Sequence, residues 1–446
     1  MGRVGAGRVF RGGAAALGLA LAVFTLAGRG DDAKPANADE ALKAELLKLN
    51  RVTSEDAQKE TLLAIAKNKA KAKKMVEVAY KLQKDAKKND RPFNFSGSIL
   101  IGRIANFVKN YDAAEYFYNQ CVDTATKLES GEKLVQAYDG LIDTYWDAKR
   151  YDDVIDACER FVELKGTDEV DRAKPFVLER LVQAKAREGK FDEALRITEV
   201  LVQLDEGGFY FVQLKGWVQR EAGKFDEAIE TYLDVLDKVD GTKRLGAKQR
   251  DSMKDRIRYI LSGLYVDVKD IPKAAKQLET LVKKDPENPT YKNDLGFIWA
   301  DNDIKLEESK KLIQEALDLD KKRQEKALKE KKIGEVKETA AYLDSMGWVL
   351  YKLKKPKEAL PYLKKAAADE EEGTHLEIWD HLGDVYKALD DKKEAIAAWQ
   401  KALTMEDVSK RDTERRKAVE KKLRAEGVEP AKPAKKSPPK KKKVMD

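Results

Sequence analysis

The sequence is poor in the residues from which reactive sites are built. Two cysteines and two histidines in 446 residues cannot make a disulfide framework or a four-cysteine zinc site, and they leave little imidazole for acid–base catalysis. His375 and His381 stand six apart, not at the i, i+4 spacing that puts two imidazoles on one helical face. A glycine-rich phosphate loop, a Gly-x-Ser-x-Gly elbow and a recognisable Cys–His pair are also missing. Glycine (27) and proline (12) make up about 9% of the chain, against about 12% in average usage. Only seven prolines fall between residues 36 and 429, which favours long uninterrupted helices over turn-rich β structure. These absences point away from an enzyme and toward a helical scaffold.

What is present is apolar and charged in nearly equal measure. An apolar content of 42% is too high for a wholly disordered chain, and 37% charged residues are too many for a multi-span membrane protein. The net charge of +7 is confined to the ends. Arg3, Arg8 and Arg11 give +3 within residues 1–27, and seven lysines against Glu429 and Asp446 give +5 within residues 429–446. The stretch 28–428 therefore carries −1, so the basicity is no argument for a nucleic-acid-binding fold.

The three arginines precede the apolar run Ala14–Ala27, which Gly28-Arg29-Gly30-Asp31-Asp32 ends. That is the layout of a secretory signal, with Thr25-Leu26-Ala27 as the cleavage site. Fourteen helical residues span about 21 Å, short of the ~30 Å hydrocarbon core. An uncleaved signal-anchor in the inner membrane and a misplaced start are the alternatives. Residues 1–27 are read as a signal peptide and 28–38 as a flexible leader. Export to the periplasm or cell envelope is the expected localisation.

From about residue 40 one amphipathic helix follows another, with short Gly, Asp or Lys breaks. The break before a second helix recurs as Asn110-Tyr111-Asp112, Arg150-Tyr151-Asp152, Lys190-Phe191-Asp192 and Lys224-Phe225-Asp226. Each aromatic is followed three residues on by Ala114, Val154, Ala194 or Ala228. Gly216, Gly296, Gly347 and Gly383 mark first helices. The run Trp379-x-x-Leu382-Gly383-x-x-Tyr386, followed by Ala395, Trp399 and Ala402, resembles the tetratricopeptide repeat. The stretch Tyr342–Asp369 resembles it nearly as well, through Leu343, Gly347, Ala359, Leu363 and Ala366.

The resemblance implies an all-α, right-handed α-solenoid of about eight helix–turn–helix repeats. They fall at roughly 95–128, 135–168, 175–207, 209–241, 255–287, 289–322, 340–372 and 376–408. Small residues at the crossing let two helix backbones approach, and no repeat buries its apolar face alone. Residues 39–94 read as an N-terminal helical cap and 95–408 as the solenoid, with a charged insertion at 321–339. Residues 409–428 read as a C-terminal capping helix and 429–446 as a disordered Lys/Pro-rich tail. The insertion lengthens a helix or loops into solvent, with a partner-docking arm as the alternative.

The resemblance further implies protein or peptide partners held on a concave face lined by the first helices, with no cofactor and no small-molecule substrate. Its groove positions fall on Trp217, Phe297 and Trp348, and matching positions hold Trp146, Tyr210, Tyr259 and Tyr351. These rings either form a peptide-binding stripe or pack between repeats. Asp139, Asp143 and Asp147 share that face, as do Asp344, Asp380 and Asp384. Only Asn293 fits a clamp for a peptide carboxylate, so an apolar or basic segment is the expected ligand. Cys121 and Cys158 occupy core slots of adjacent second helices, where they are either bridged or two separate thiols packed as small apolar residues. The lysine tail suits an anionic surface. The expected function is a non-enzymatic scaffold or assembly factor of the bacterial envelope. The alternative is an intracellular or membrane-anchored adaptor whose tail binds nucleic acid or anionic surfaces; nucleic acid is the disfavoured partner.

Overall fold

A computed structural model describes residues 38–87, 90–205, 208–370, 372–405 and 410–430. The signal peptide, all of the leader but Ala38, and all but the first two residues of the lysine tail lie outside the described residues. Twenty α-helices account for the regular structure there apart from two short 3-10 turns, and there is no strand among the described residues. The chain is an all-α solenoid. It divides into two compact units between Ala222 and Gly223, so the two helices expected in repeat 209–241 fall on either side of that division.

The first unit holds α1 (Ala38–Lys48), α2 (Glu55–Ala66), α3 (Lys69–Asp85), α4 (Phe95–Phe107), α5 (Tyr111–Lys127), α6 (Gly131–Asp147), α7 (Tyr151–Glu163), α8 (Asp168–Arg187), α9 (Phe191–Leu204) and α10 (Tyr210–Glu221). The aromatics of the recurrent break each open a second helix, as Tyr111, Tyr151 and Phe191 do here. The turn before each passes through one left-handed residue, at Lys109, Lys149 and Gly189. Helices α6 and α8 begin at Gly131 and Asp168, earlier than the repeat spacing places them. Ser130 caps the extra turn of α6 through its side chain, and three acidic residues in the first turn of α8 suit the helix dipole.

Close crossing is visible at Tyr118 of α5, which is 2% exposed. Its ring lies against Gly102 on one side and Gly140 on the other; a β-carbon at either position would fall 2.8 Å or 2.2 Å from ring atoms. One ring thereby keys three helices together. Helices α1–α3 cover the start of the stack. Asn50 ties them to α4, its Nδ2 donating to Pro92 O at 2.7 Å and its Oδ1 accepting from Asn94 N at 3.0 Å. Cys121 and Cys158 are both free and buried; no bridge joins them. Burial pushes the Cys158 thiol up to about 12 and raises that of Cys121 as well.

The second unit holds α11 (Phe225–Lys238), α12 (Ala247–Asp267), α13 (Ile271–Lys284), α14 (Pro289–Asp301), α15 (Leu306–Lys329), α16 (Ala340–Lys352), α17 (Pro356–Ala367), α18 (Leu376–Ala388), α19 (Lys392–Ala402) and α20 (Lys410–Ala425). Helix pairing is sequential from α12 onward, and successive first helices also touch, α14 on α16 and α16 on α18. The charged insertion lengthens a helix: α15 runs 24 residues. The returning segment is tied to it, since Lys337 N donates to Gln324 Oε1 and Thr339 Oγ1 to Asp320 Oδ2, at 2.8 and 2.7 Å. Pro361 sits inside α17 without ending it, because its missing N–H falls near the helix start.

Candidate functional site: the face of the first helices

In the second unit the residue three before each crossing glycine is Asn293, Asp344 or Asp380, and the residue one after is Phe297, Trp348 or Asp384. At these spacings on α14, α16 and α18 the side chains share one face. On α12 the Tyr259 hydroxyl donates to Asp294 Oδ2 at 2.7 Å, and the ring is 39% exposed. Burial, reinforced by the Asp294 charge, raises the pKa of this phenol. Asn293 is 5% exposed and donates to Asp294 Oδ1 at 3.2 Å. Its own Oδ1 is buried without a hydrogen-bond partner among the described residues.

The centre of the face is a stack. Trp348, 8% exposed, lies parallel to the His381 imidazole with centroids 3.9 Å apart and planes 11° apart, and to the Tyr351 ring at 5.1 Å. Phe297 approaches the same imidazole at 6.2 Å. The Trp348 indole N–H donates to Asp301 Oδ1 at 3.0 Å. His381 is fully buried, with Nδ1 2.9 Å from Asp344 Oδ1. Burial alone would lower the imidazole pKa; the Asp344 charge and hydrogen bond outweigh it and raise it. In the neutral ring Nδ1 donates to Asp344, leaving Nε2 to accept from Arg415 Nη1 at 3.1 Å.

Arg415 belongs to α20, the terminal helix, and its position is the least expected feature of the site. It donates to Glu377, to Asp380 Oδ2 at 3.4 Å and to His381. Lys422, nearly two turns on, donates to Asp380 Oδ1 and Asp384 Oδ1, both at 2.6 Å. Arg411 reaches α12, donating to Asp267 Oδ1 at 2.5 Å and to Gly263 O at 2.6 Å. Burial raises the pKa of Glu377 and of Asp384, with Asp380 adding to the latter, while Arg415 and Lys422 pull them back. The side of α20 facing α19 is apolar: Val419 and Leu423 are fully buried in a cluster with Leu376, Ala395, Trp399 and Ala402.

In the first unit the corresponding residues are dispersed. The Arg180 guanidinium covers the Trp146 ring at 4.5 Å and donates to Asp143 Oδ1 at 3.3 Å. Tyr210 is 52% exposed and donates to Glu179 Oε1 at 2.6 Å. Trp217 is half-buried, with the Arg187 guanidinium 5.8 Å from its ring centre. The sequence-derived aromatic stripe therefore divides. Tyr210 and Tyr259 stand open, Trp146, Trp217, Phe297 and Tyr351 are half-buried, and Trp348 packs inside the stack. The terminal helix, expected as a polar cap, also lays Arg415 and Lys422 on this face, and His381, unsuited by spacing to a metal, is the imidazole Arg415 reaches. The missed signal was complementarity: an acidic face and a basic stripe, Arg411, Arg415 and Lys422, in one chain.

Two tetratricopeptide-repeat family profiles match the chain, at residues 339–370 and 376–407. They coincide with the pairs α16–α17 and α18–α19. The chain carries tetratricopeptide repeats at these two stretches. Repeats of this family are modules of protein–protein interaction. No curated protein matches the sequence of this one. Among solved structures, a tetratricopeptide repeat protein from Parabacteroides merdae is 12% identical, with 68% of this chain and 98% of that one covered and a TM-score of 0.43. MamA from Desulfovibrio magneticus is 18% identical over 43% and 92% of the two chains, with a TM-score of 0.32. BtubC from P. vanneervenii is 18% identical over 64% and 96%, with a TM-score of 0.34. Among the described residues of this repeat protein, no helix is long and apolar enough to cross a membrane and no cluster of ligands suits a metal.

Asp139 of the first unit supplies a titration. Burial first, and the Asp143 charge second, raise its pKa to about 7 against the pull of Arg103 and Arg180. A carboxyl raised on folding holds its proton in the folded state at pH values where the unfolded chain has lost it. Its stabilising contribution is therefore complete below the unfolded value near 4 and is lost as pH rises through about 7. Asp139→Asn is expected to raise stability at pH 8 by on the order of 2 kcal/mol, allowing for solvent screening of a partly exposed carboxyl. The gain should vanish near pH 4, and urea unfolding at both pH values measures it. Equal gains at the two pH values would show that Asp139 does not titrate there.

Proposed function

We propose that this protein is a non-enzymatic scaffold of the bacterial envelope that holds partner proteins by basic segments laid on the inner face of its second unit. The observation that carries this reading is the seating of Arg411, Arg415 and Lys422 on carboxylates of α12 and α18. The face is thus able to hold a basic helix, and its acidic lining disfavours a carboxylate-terminated ligand. The envelope setting rests on the arginines and apolar run of residues 1–27. The lysine tail is proposed to add attachment to an anionic surface, with affinity falling as salt rises.

The test is a photo-crosslinking residue placed in living cells at position 259, open on the inner face, or at position 276, exposed on second helix α13. A small set of proteins crosslinked from 259 and absent from 276 is the expected result. Equal crosslinking from both positions would remove the groove from the account. Intact mass of the native protein reads the setting: loss of the first 27 residues supports export. Retention of those residues, with salt-sensitive nucleic-acid binding lost on deleting residues 431–446, supports the intracellular alternative.

A further inference from the structure

A helix that only capped the array would need to cover the apolar end of α19, and Val419 and Leu423 do that. The cations of α20 do something a cap has no need of. Arg415 and Lys422 turn onto α18, a first helix, and Arg411 reaches α12, the first helix three pairs earlier. A 16-residue helix is about 24 Å long, so α20 lies along the ligand-facing side rather than across the end alone. Its contacts are those of a guest. Three cations at i, i+4 and i+11 form one stripe, each on a carboxylate of the face, with two apolar anchors one position further round. The face also holds a feature that the present guest leaves unsatisfied, the buried Asn293 Oδ1 on α14, which follows α12 and precedes α18 along the chain.

We propose that α20 is a tethered occupant of the groove, and that the partner is a basic amphipathic helix of the same pattern that enters by displacing it. The inference rests on the reading of this face as the partner-binding face. It specifies what that reading leaves open: the guest is helical, its cations follow the i, i+4, i+11 spacing with apolar residues at i+8 and i+12, and the site is self-occupied in the free protein. Attachment through the short segment after Met405 gives α20 an effective concentration in the millimolar range, so a free helix of equal intrinsic affinity competes poorly until the tether yields. Partner binding is consequently gated. A guest must exceed the α20 interaction, or bring a second contact that adds to it.

The experiment uses the full chain with a protease site inserted between Met405 and Lys410. The probe is a labelled peptide of residues 410–426, followed by fluorescence anisotropy in low salt with and without cutting. Expected is weak binding to the uncut chain and binding about 100-fold tighter after cutting. The gain should be abolished in a peptide carrying Arg415→Glu and Lys422→Glu, and in one of the same composition with scrambled order. Uncut chain carrying Arg415→Glu and Lys422→Glu should take up the wild-type peptide as the cut chain does, provided circular dichroism shows it folded. Equal binding before and after cutting, or no exchange at excess peptide, would overturn the inference. So would equal uptake of the scrambled peptide, which would reduce the site to nonspecific charge. None of these outcomes touches the crosslinking result at position 259, which decides the partner-binding reading separately.

Discussion

Trp348→Ala is expected to destabilise the second unit by about 3–5 kcal/mol, the range for deleting a buried large aromatic. The indole is 8% exposed and stacks with both the His381 imidazole and the Tyr351 ring. Its removal empties that volume and strips Asp301 of a 3.0 Å donor. Chemical denaturation should show the second unit's transition at lower denaturant with the first unit's unchanged. The control is Tyr259→Ala: that ring is open to solvent, and its loss should cost under about 1 kcal/mol. Equal, small effects at the two positions would mean that Trp348 is a surface ring, as a groove residue would be.

Arg415→Ala is expected to cost about 2 kcal/mol, since removing one member of a partly buried charge network leaves the others undercompensated while solvent screens the partly exposed Glu377. Glu377, Asp380 and the Asp344–His381 pair would lose the Arg415 guanidinium that faces them from α20. The sign of its pH dependence follows. Burial already raises the pKa of Glu377 and Arg415 holds it down, so the variant's Glu377 moves further up. The folded variant then takes up a proton that the unfolded chain does not, and its deficit shrinks as pH falls from 8 toward 5. By contrast Lys71→Ala, which breaks an exposed pair with Glu45, should cost at most about 1 kcal/mol. A deficit that is the same at pH 5 and pH 8 would show that Glu377 stays ionised without Arg415.

Much of the architecture was legible because it repeats. Tyr111, Tyr151 and Phe191 stand at the first position of second helices because a left-handed turn residue and an aromatic recur together, and repetition turns a weak local signal into a strong one. Gly296, Gly347 and Gly383 were legible for a steric reason. A β-carbon at each would lie within 3 Å of Ile313, Leu363 or Trp399 on the partner helix. The lengths of α6, α8 and α12 were harder to read, because extra first turns are set by caps and charges outside the repeat pattern. The site was legible in its ingredients and not in its arrangement. Asp344, Asp380 and Asp384 stood out as an acidic stripe and residues 411–426 as a charged helix. Their pairing joins residues 34 to 148 apart in sequence, and periodicity along the chain carries no information about which distant charges meet. Trp348 misled for a related reason: the repeat pattern places it on the inner face, but what covers that face there is His381 from the next first helix.

The Tyr118 ring held between Gly102 and Gly140 bears on how the first unit yields under load. Helices packed by interdigitating branched chains can slip by small steps, because one methyl group replaces another at modest cost. A flat ring seated against bare backbone on both sides has no such neighbouring position. Sliding α4 or α6 by one residue along α5 would bring a β-carbon into the space the ring fills. This part of the array is therefore stiff to shear between adjacent pairs, and it bends or stretches only where its crossings lack such a key.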